Sequence, residues 1–182
     1  MPVVLRRFTV EEVDALPDDG NRHEVLDGIL FVTPAPGPPH QTVAARLFLL
    51  LGQHLAAGSR GQIWSPGVVP IDRRSRLEPD LLIGVPPKAW SKWSDLTERW
   101  LAVEVSGPGS RLYDRTYKRS AYLDAGVQEV WLVDLARREV TLSRPGAADQ
   151  VVTEHLDWRE PNTGLMLSID LEAVFRDVTL SD

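Results

Sequence analysis

The chain has 182 residues, close to one domain of roughly 150 residues, which excludes two independent cores. Its 43% hydrophobic and 25% charged content excludes a disordered tail, a coiled coil and a collagen, and the lack of cysteine excludes disulfide scaffolds, thiol catalysis and thiolate metal sites. The net charge of −6 argues against a protein that coats nucleic acid by neutralising phosphates, but not against a nuclease that gathers acids around a cation.

The longest apolar run, Leu47 to Leu51, is far short of the roughly 20 residues that cross a bilayer. No basic start followed by an apolar stretch opens the chain. The expectation is a cytoplasmic protein without membrane contact, folded as a single domain over residues 1–182.

Thr9 and Glu12 have the spacing of a capping box, which predicts a short helix from Val10 to Leu16. Asp27-Gly28 between HEVL and ILFV predicts a hairpin, because a two-residue turn needs positive φ and glycine adopts it without strain. Prolines 34, 36, 38 and 39 form a stiff connector. A helix follows over 40–57, with Val43, Leu47, Leu50, Leu51 and Leu55 on one stripe and Gly58 as its stop.

Residues 62–71 read as one bent strand or as two around Pro66-Gly67, and 81–83 and 101–105 as buried strands. Between these two strands, 86–99 is an insertion with a turn of helix. It holds Trp90 and Trp93, for which core packing and an interface are both open. A second helix is predicted from Asp114 to Asp124, then a buried strand over Glu129–Asp134 and its partner over Glu139–Ser143. Further strands and a short helix near Leu171–Phe175 close the chain. Local blocks 72–76 and 111–119 are basic, at net +2 and +3. The core order of helix, three strands, helix and strand predicts a mixed α/β layer fold.

Three side chains are the candidates to carry chemistry. Asp80 follows Pro79 and opens Leu81-Leu82-Ile83, where a carboxylate is costly without a charged or hydrogen-bonding partner; capping a turn after proline is the simpler reading. Along 100–106, alternation places Leu101, Val103 and Val105 on one face and Ala102, Glu104 and Ser106 on the other. Glu104 is then an acid in a core, either paired in a buried salt bridge or sharing a cation with Asp80, since two acids on adjacent strands repel unless something neutralises them. Lys118 stands four residues after Asp114, with Tyr122 one turn further. It is either half of a surface pair or, because its helix leaves the Glu104 strand through the loop 107–110, a cation reaching back over that strand's end. Glu24 and His40 form a second tier, with a cross-strand partner such as Arg22 and a helix cap as their simpler roles.

Pro79-Asp80, Glu104-Val105-Ser106, Asp114…Lys118…Tyr122 and the segment from Gly126 to Asp134 together resemble the Uma-type restriction endonuclease family, within the PD-(D/E)xK nuclease superfamily. The resemblance extends to the segment His23–Gly28 and to His40, and covers most of residues 8–145. It implies a restriction endonuclease-like α-β-β-β-α-β core, with an N-terminal helix and hairpin and extra C-terminal strands. It also implies a metal-dependent endonuclease that hydrolyses DNA, in a fold that often pairs as a homodimer. By this resemblance Asp80 and Glu104 hold Mg²⁺ or Mn²⁺, Glu24 is a further metal ligand, and Lys118 orients or activates the attacking water. His40, Arg115 and Tyr122 are the candidate substrate contacts.

Two departures stand out. The superfamily's lysine usually lies two residues after the second acid, where this chain has Ser106; Lys118 takes its place, as in the family. His23 replaces an aromatic residue, and Gly107 and Gly109 loosen a loop usually closed by Ser-Pro-Ser. The alternative is a catalytically inactive nuclease-like fold serving as a nucleic-acid-binding or assembly module. Metal-dependent cleavage that disappears in Asp80→Ala and Glu104→Ala separates the two.

Overall fold

Helix α1 (Val10–Asp14) starts as its spacing requires. The Thr9 hydroxyl accepts the Glu12 amide at 3.2 Å and the Glu12 carboxylate accepts the Thr9 amide at 2.8 Å, so the box closes in both directions. In the computed structural model, which describes residues 6–107 and 117–180, this helix ends before the expected Leu16. Strands β1 (Arg22–Leu26) and β2 (Ile29–Thr33) follow as the predicted hairpin. Asp27 and Gly28 both have positive φ, 52° and 77°, the turn whose twist matches that of the flanking strands.

Helix α2 (Pro38–Leu55) begins two residues earlier than expected. Pro38 and Pro39 belong to its first turn rather than to the connector, because the first amides of a helix have no intrahelical acceptor and proline loses nothing there. Val43, Ala44, Leu47, Leu51 and Leu55 are buried along one face.

Residues 62–71 divide into two strands in different sheets, β3 (Gln62–Trp64) and β4 (Val69–Asp72). The basic block 72–76 is not simply a solvated patch: it makes the turn into β5 (Ser75–Leu77), which pairs with both β4 and β1. A four-stranded sheet results, in the order β2-β1-β5-β4. The larger sheet adds β6 (Leu81–Val85), β7 (Glu98–Ser106), β8 (Val127–Asp134), β9 (Glu139–Ser143) and β10 (Gln150–Val152), in the order β10-β9-β8-β7-β6-β3.

Only β7 and β8 of that sheet run parallel, and a parallel pair needs a crossover. Helix α3 (Arg119–Asp124) lies on it; the predicted helix start at Asp114 lies outside the described residues. The chain closes with the pair β11 (His155–Arg159) and β12 (Met166–Asp170) and with α4 (Leu171–Phe175), the predicted terminal helix. Among the described residues no helix is long and apolar enough to cross a membrane.

The alternation along β7 sorts the core into two layers. Leu101, Val103 and Val105 pack with the buried face of α2 and with Trp131, Trp158 and the α4 side chains. Ala102 faces the opposite layer, with Tyr122 of α3, Val130 and Leu132 of β8, and Val69 and Leu77 of the small sheet. Glu104 lies on that second side. Trp90 and Trp93, the latter in a 3-10 turn over Trp93–Asp95, are half-buried and pack edge-on with Trp64, ring centres 4.9 to 5.7 Å apart.

At Gly84 the close approach of a neighbouring strand's backbone demands glycine. A Cβ at Gly84 would stand 2.5 Å from the Glu98 carbonyl oxygen, beside the register shift between β6 and β7. The obstacle is backbone and cannot rotate away. Gly84→Ala is expected to destabilise the fold by roughly 1–3 kcal/mol and to lower Tm by several degrees, on the scale of ~2–4 °C per kcal/mol for this size. Thermal unfolding by circular dichroism reads this directly.

Candidate active site

The register of β6 and β7 explains why two acids far apart in sequence meet. Leu81 pairs with Val103 in antiparallel fashion, so the residue before β6 lies across from the carboxyl end of β7. Asp80 Oδ2 accepts the Val105 amide at 2.8 Å. The site thus lies at the carboxyl end of β7, the usual position for a site in such a sheet.

Asp80 is 4% exposed and tied on both oxygens. Arg22 Nη2, from β1, donates to Oδ1 at 2.8 Å, and His40 Nε2, from the first turn of α2, lies 2.9 Å from Oδ2. Burial opposes ionisation of this carboxyl, but His40, Arg22 and the Val105 amide outweigh it and hold the pKa at about 2. Arg22 is likewise penalised by burial, yet Asp80, then Glu104 and Glu24, drive its pKa upward.

Glu104 occupies the other half. Its Oε1 accepts from Lys118 Nζ at 3.1 Å and from the Tyr122 hydroxyl at 2.5 Å. Lys118, 3% exposed and just before α3, also stands 2.7 Å from Glu24 Oε2, an ionic contact outside hydrogen-bond geometry. Glu24 Oε1 accepts the Glu78 amide at 2.8 Å. Lys118 is therefore clamped between a carboxylate of each sheet. Burial first, then Glu104, pushes the Tyr122 hydroxyl well above its ordinary pKa of 10.0, so it remains a donor.

Asp80, Glu104 and Lys118 line one cavity of about 460 Å³ together with Arg22 and His40, walled by residues 33–37 and by Leu135 and Leu180. Glu24 is not in its wall: its two oxygens serve Lys118 and the Glu78 amide. Tyr122, 0% exposed, is sealed beneath the site and reaches Glu104 rather than the cavity, because the helix face it shares with Lys118 is buried under the small sheet. His40 does face the cavity, but its Nε2 is directed to Asp80 instead of capping α2. Arg115 lies outside the described residues. Sequence reasoning gave Arg22 only the role of a partner for Glu24. The available signal was its position two residues before Glu24, which places both side chains on one face of β1.

Among the described residues no three His, Cys, Asp or Glu side chains form a ready metal-ligand cluster. Two carboxylates on a shared cavity are nevertheless what Mg²⁺ takes from many proteins, with waters and substrate phosphate completing its shell. The donors of Asp80 and Glu104 are hard oxygens, and their chemistry fits a divalent cation.

The depressed pKa of Asp80 has a consequence in acid. Because the folded state binds this proton more weakly than the unfolded chain, the group adds stability above its ordinary pKa of 3.8, and the gain is lost as the pH falls toward about 2. Without added metal, urea unfolding between pH 5 and 2 is expected to fall more steeply for the native chain than for Asp80→Asn. Parallel curves would contradict the assignment of this carboxylate as ionised and paired.

A family model described as "Uma2: Putative restriction endonuclease" matches residues 10–176. The crystal structure of a protein from Anabaena variabilis, titled a putative nuclease belonging to DUF820, superposes with a TM-score of 0.76 over 92% of this chain and 97% of that one, at 18% sequence identity. Among curated proteins none matches the sequence.

Proposed function

The chain belongs to the Uma2 restriction endonuclease family and has a nuclease-like fold, and on that premise we propose that it hydrolyses phosphodiester bonds of DNA with the help of Mg²⁺ or Mn²⁺. One observation carries the reading: two buried acids and a buried lysine from three separate stretches of chain line a single cavity. Asp80 and Glu104 would hold the cation, which when bound supplies Lewis acidity toward water and toward a phosphoryl oxygen.

The chain's own residues do the rest. Glu24 and Glu104 fix the Lys118 ammonium at the cavity wall, where it orients the attacking water and offers positive charge as negative charge develops on phosphorus. Tyr122 donates to Glu104 from beneath and sets the direction of its carboxylate; it is a positioning residue, not a substrate contact. His40 holds Asp80 in place from α2. A backbone phosphate would enter the cavity beside residues 33–37 and Leu180, which line it. The Anabaena structure, titled "a putative nuclease", supports the same reaction class.

Titration of MnCl₂ into the purified protein, followed by heat flow and thermal shift, tests the cation site. Saturable binding is expected in the native chain, with at least about tenfold weaker binding in Asp80→Asn, since one of two ligating carboxylates is gone. No binding at millimolar Mn²⁺ would remove the mechanism. DNA binding that persists without any cleavage would favour the module without turnover.

A further inference from the structure

Arg22 differs from Lys118 in how it is held. The Lys118 ammonium is buried between two carboxylates, its side chain 4% exposed, whereas the Arg22 side chain is 21% exposed. Guanidinium carries five N–H donors in a rigid fork. Two are engaged among the described residues: Nη2 on Asp80 Oδ1 at 2.8 Å and Nη1 on the Glu78 carbonyl at 3.0 Å. The rest of the fork is carried on a half-buried side chain that lines the cavity.

A divalent cation held by Asp80 would meet the guanidinium there, since Arg22 Nη2 already stands 2.8 Å from Oδ1 of that carboxylate. Unit charges a few Å apart inside a protein repel by several kcal/mol even at an effective dielectric of about 20, so the two cannot hold that carboxylate equally well.

We infer that Arg22 serves two partners in turn: the Asp80 carboxylate, for which it competes with an incoming divalent cation, and a non-bridging phosphate oxygen of DNA, to which its fork turns once the cation holds Asp80. The planar fork suits a phosphate in a way a lysine does not. This assignment rests on the metal-dependent nuclease reading above, and it has a signature that a purely structural ion pair lacks. Removing Arg22 acts in opposite directions on the two ligands, tightening the metal and loosening the DNA.

The test is calorimetric titration with MnCl₂ alone, followed by fluorescence anisotropy of a labelled DNA duplex in the presence of Ca²⁺, on the native chain, Arg22→Gln and Arg22→Lys. Arg22→Gln is expected to bind Mn²⁺ about tenfold more tightly and the duplex about tenfold more weakly. Arg22→Lys keeps the charge but loses the fork and the Glu78 contact. It should therefore bind Mn²⁺ a few-fold more tightly than the native chain and the duplex a few-fold more weakly, so it carries the test if Arg22→Gln does not fold. Unchanged or weaker Mn²⁺ binding in the folded variants overturns the competition, and unchanged duplex binding overturns the phosphate role. Failure of the native chain itself to bind Mn²⁺ is a different result, which overturns the nuclease reading and this inference with it.

Discussion

Glu104→Gln is expected to fold like the native chain yet lose DNA cleavage by at least about 10²–10³-fold, the scale on which a single preorganised electrostatic group usually acts in an active site. The substitution keeps the shape of the side chain and leaves an amide oxygen able to accept from Lys118 and Tyr122, which both donate to Oε1. What it removes is one unit of negative charge from the cavity that Asp80 shares, and with it half of the carboxylate pair proposed to hold the cation. Plasmid nicking or cleavage of a labelled duplex in Mn²⁺, with circular dichroism to confirm the fold, measures both sides. Cleavage within a few-fold of the native rate would show that the reaction does not pass through this carboxylate. A loss of folding would mean instead that the charge itself, through Lys118, is needed for stability, and Asp80→Asn would then have to show the effect.

Much of the framework was legible because it depends on residues close together in sequence. Thr9 and Glu12 cap α1 three residues apart, Asp27-Gly28 closes its hairpin within two residues, and α4 occupies the short segment expected of it. The alternation of β7 put Glu104 opposite the Leu101–Val103–Val105 face, and the core divides along that line. Adjacency of Asp80 and Glu104 needed only that β6 and β7 be neighbours.

What escaped depends on packing between the two sheets. Arg22 and Asp80 are 58 residues apart, and only the small sheet's seat over the end of β7 brings them together. Strand β5 was hidden inside a basic block, where Arg73 and Arg74 point to solvent while Ser75 and Leu77 are buried; charge content hid a period of two. The small sheet also decides the fate of Tyr122, since its spacing from Lys118 gives a shared helix face but not which layer covers that face.

Lys118→Met should be the most destabilising change at the site, costing about 3–5 kcal/mol, the range seen when one partner of a buried ion pair is removed. The ammonium stands 2.7 Å from Glu24 and 3.1 Å from Glu104, and both acids are almost fully buried, at 1% and 3% exposed. Methionine fills much of the same volume, so the loss is one of charge rather than packing. Two carboxylates from different sheets then face one another across an apolar side chain, and their repulsion adds to the cost of burial. If that is the cause, removing one of the two acids should return part of the loss. Glu24→Gln/Lys118→Met is expected to be more stable than Lys118→Met alone, with a coupling between the positions of at least about 1.5 kcal/mol, within the range for residues in one charge network. Urea unfolding of the native chain, both single variants and the double variant at neutral pH supplies the four free energies. Additive losses would place Glu24 and Lys118 in separate environments and leave the clamp on the ammonium without an energetic basis. A strong coupling, combined with a loss of cleavage in Lys118→Met at temperatures where the variant remains folded, would tie the residue that joins the two sheets to the one that serves the reaction.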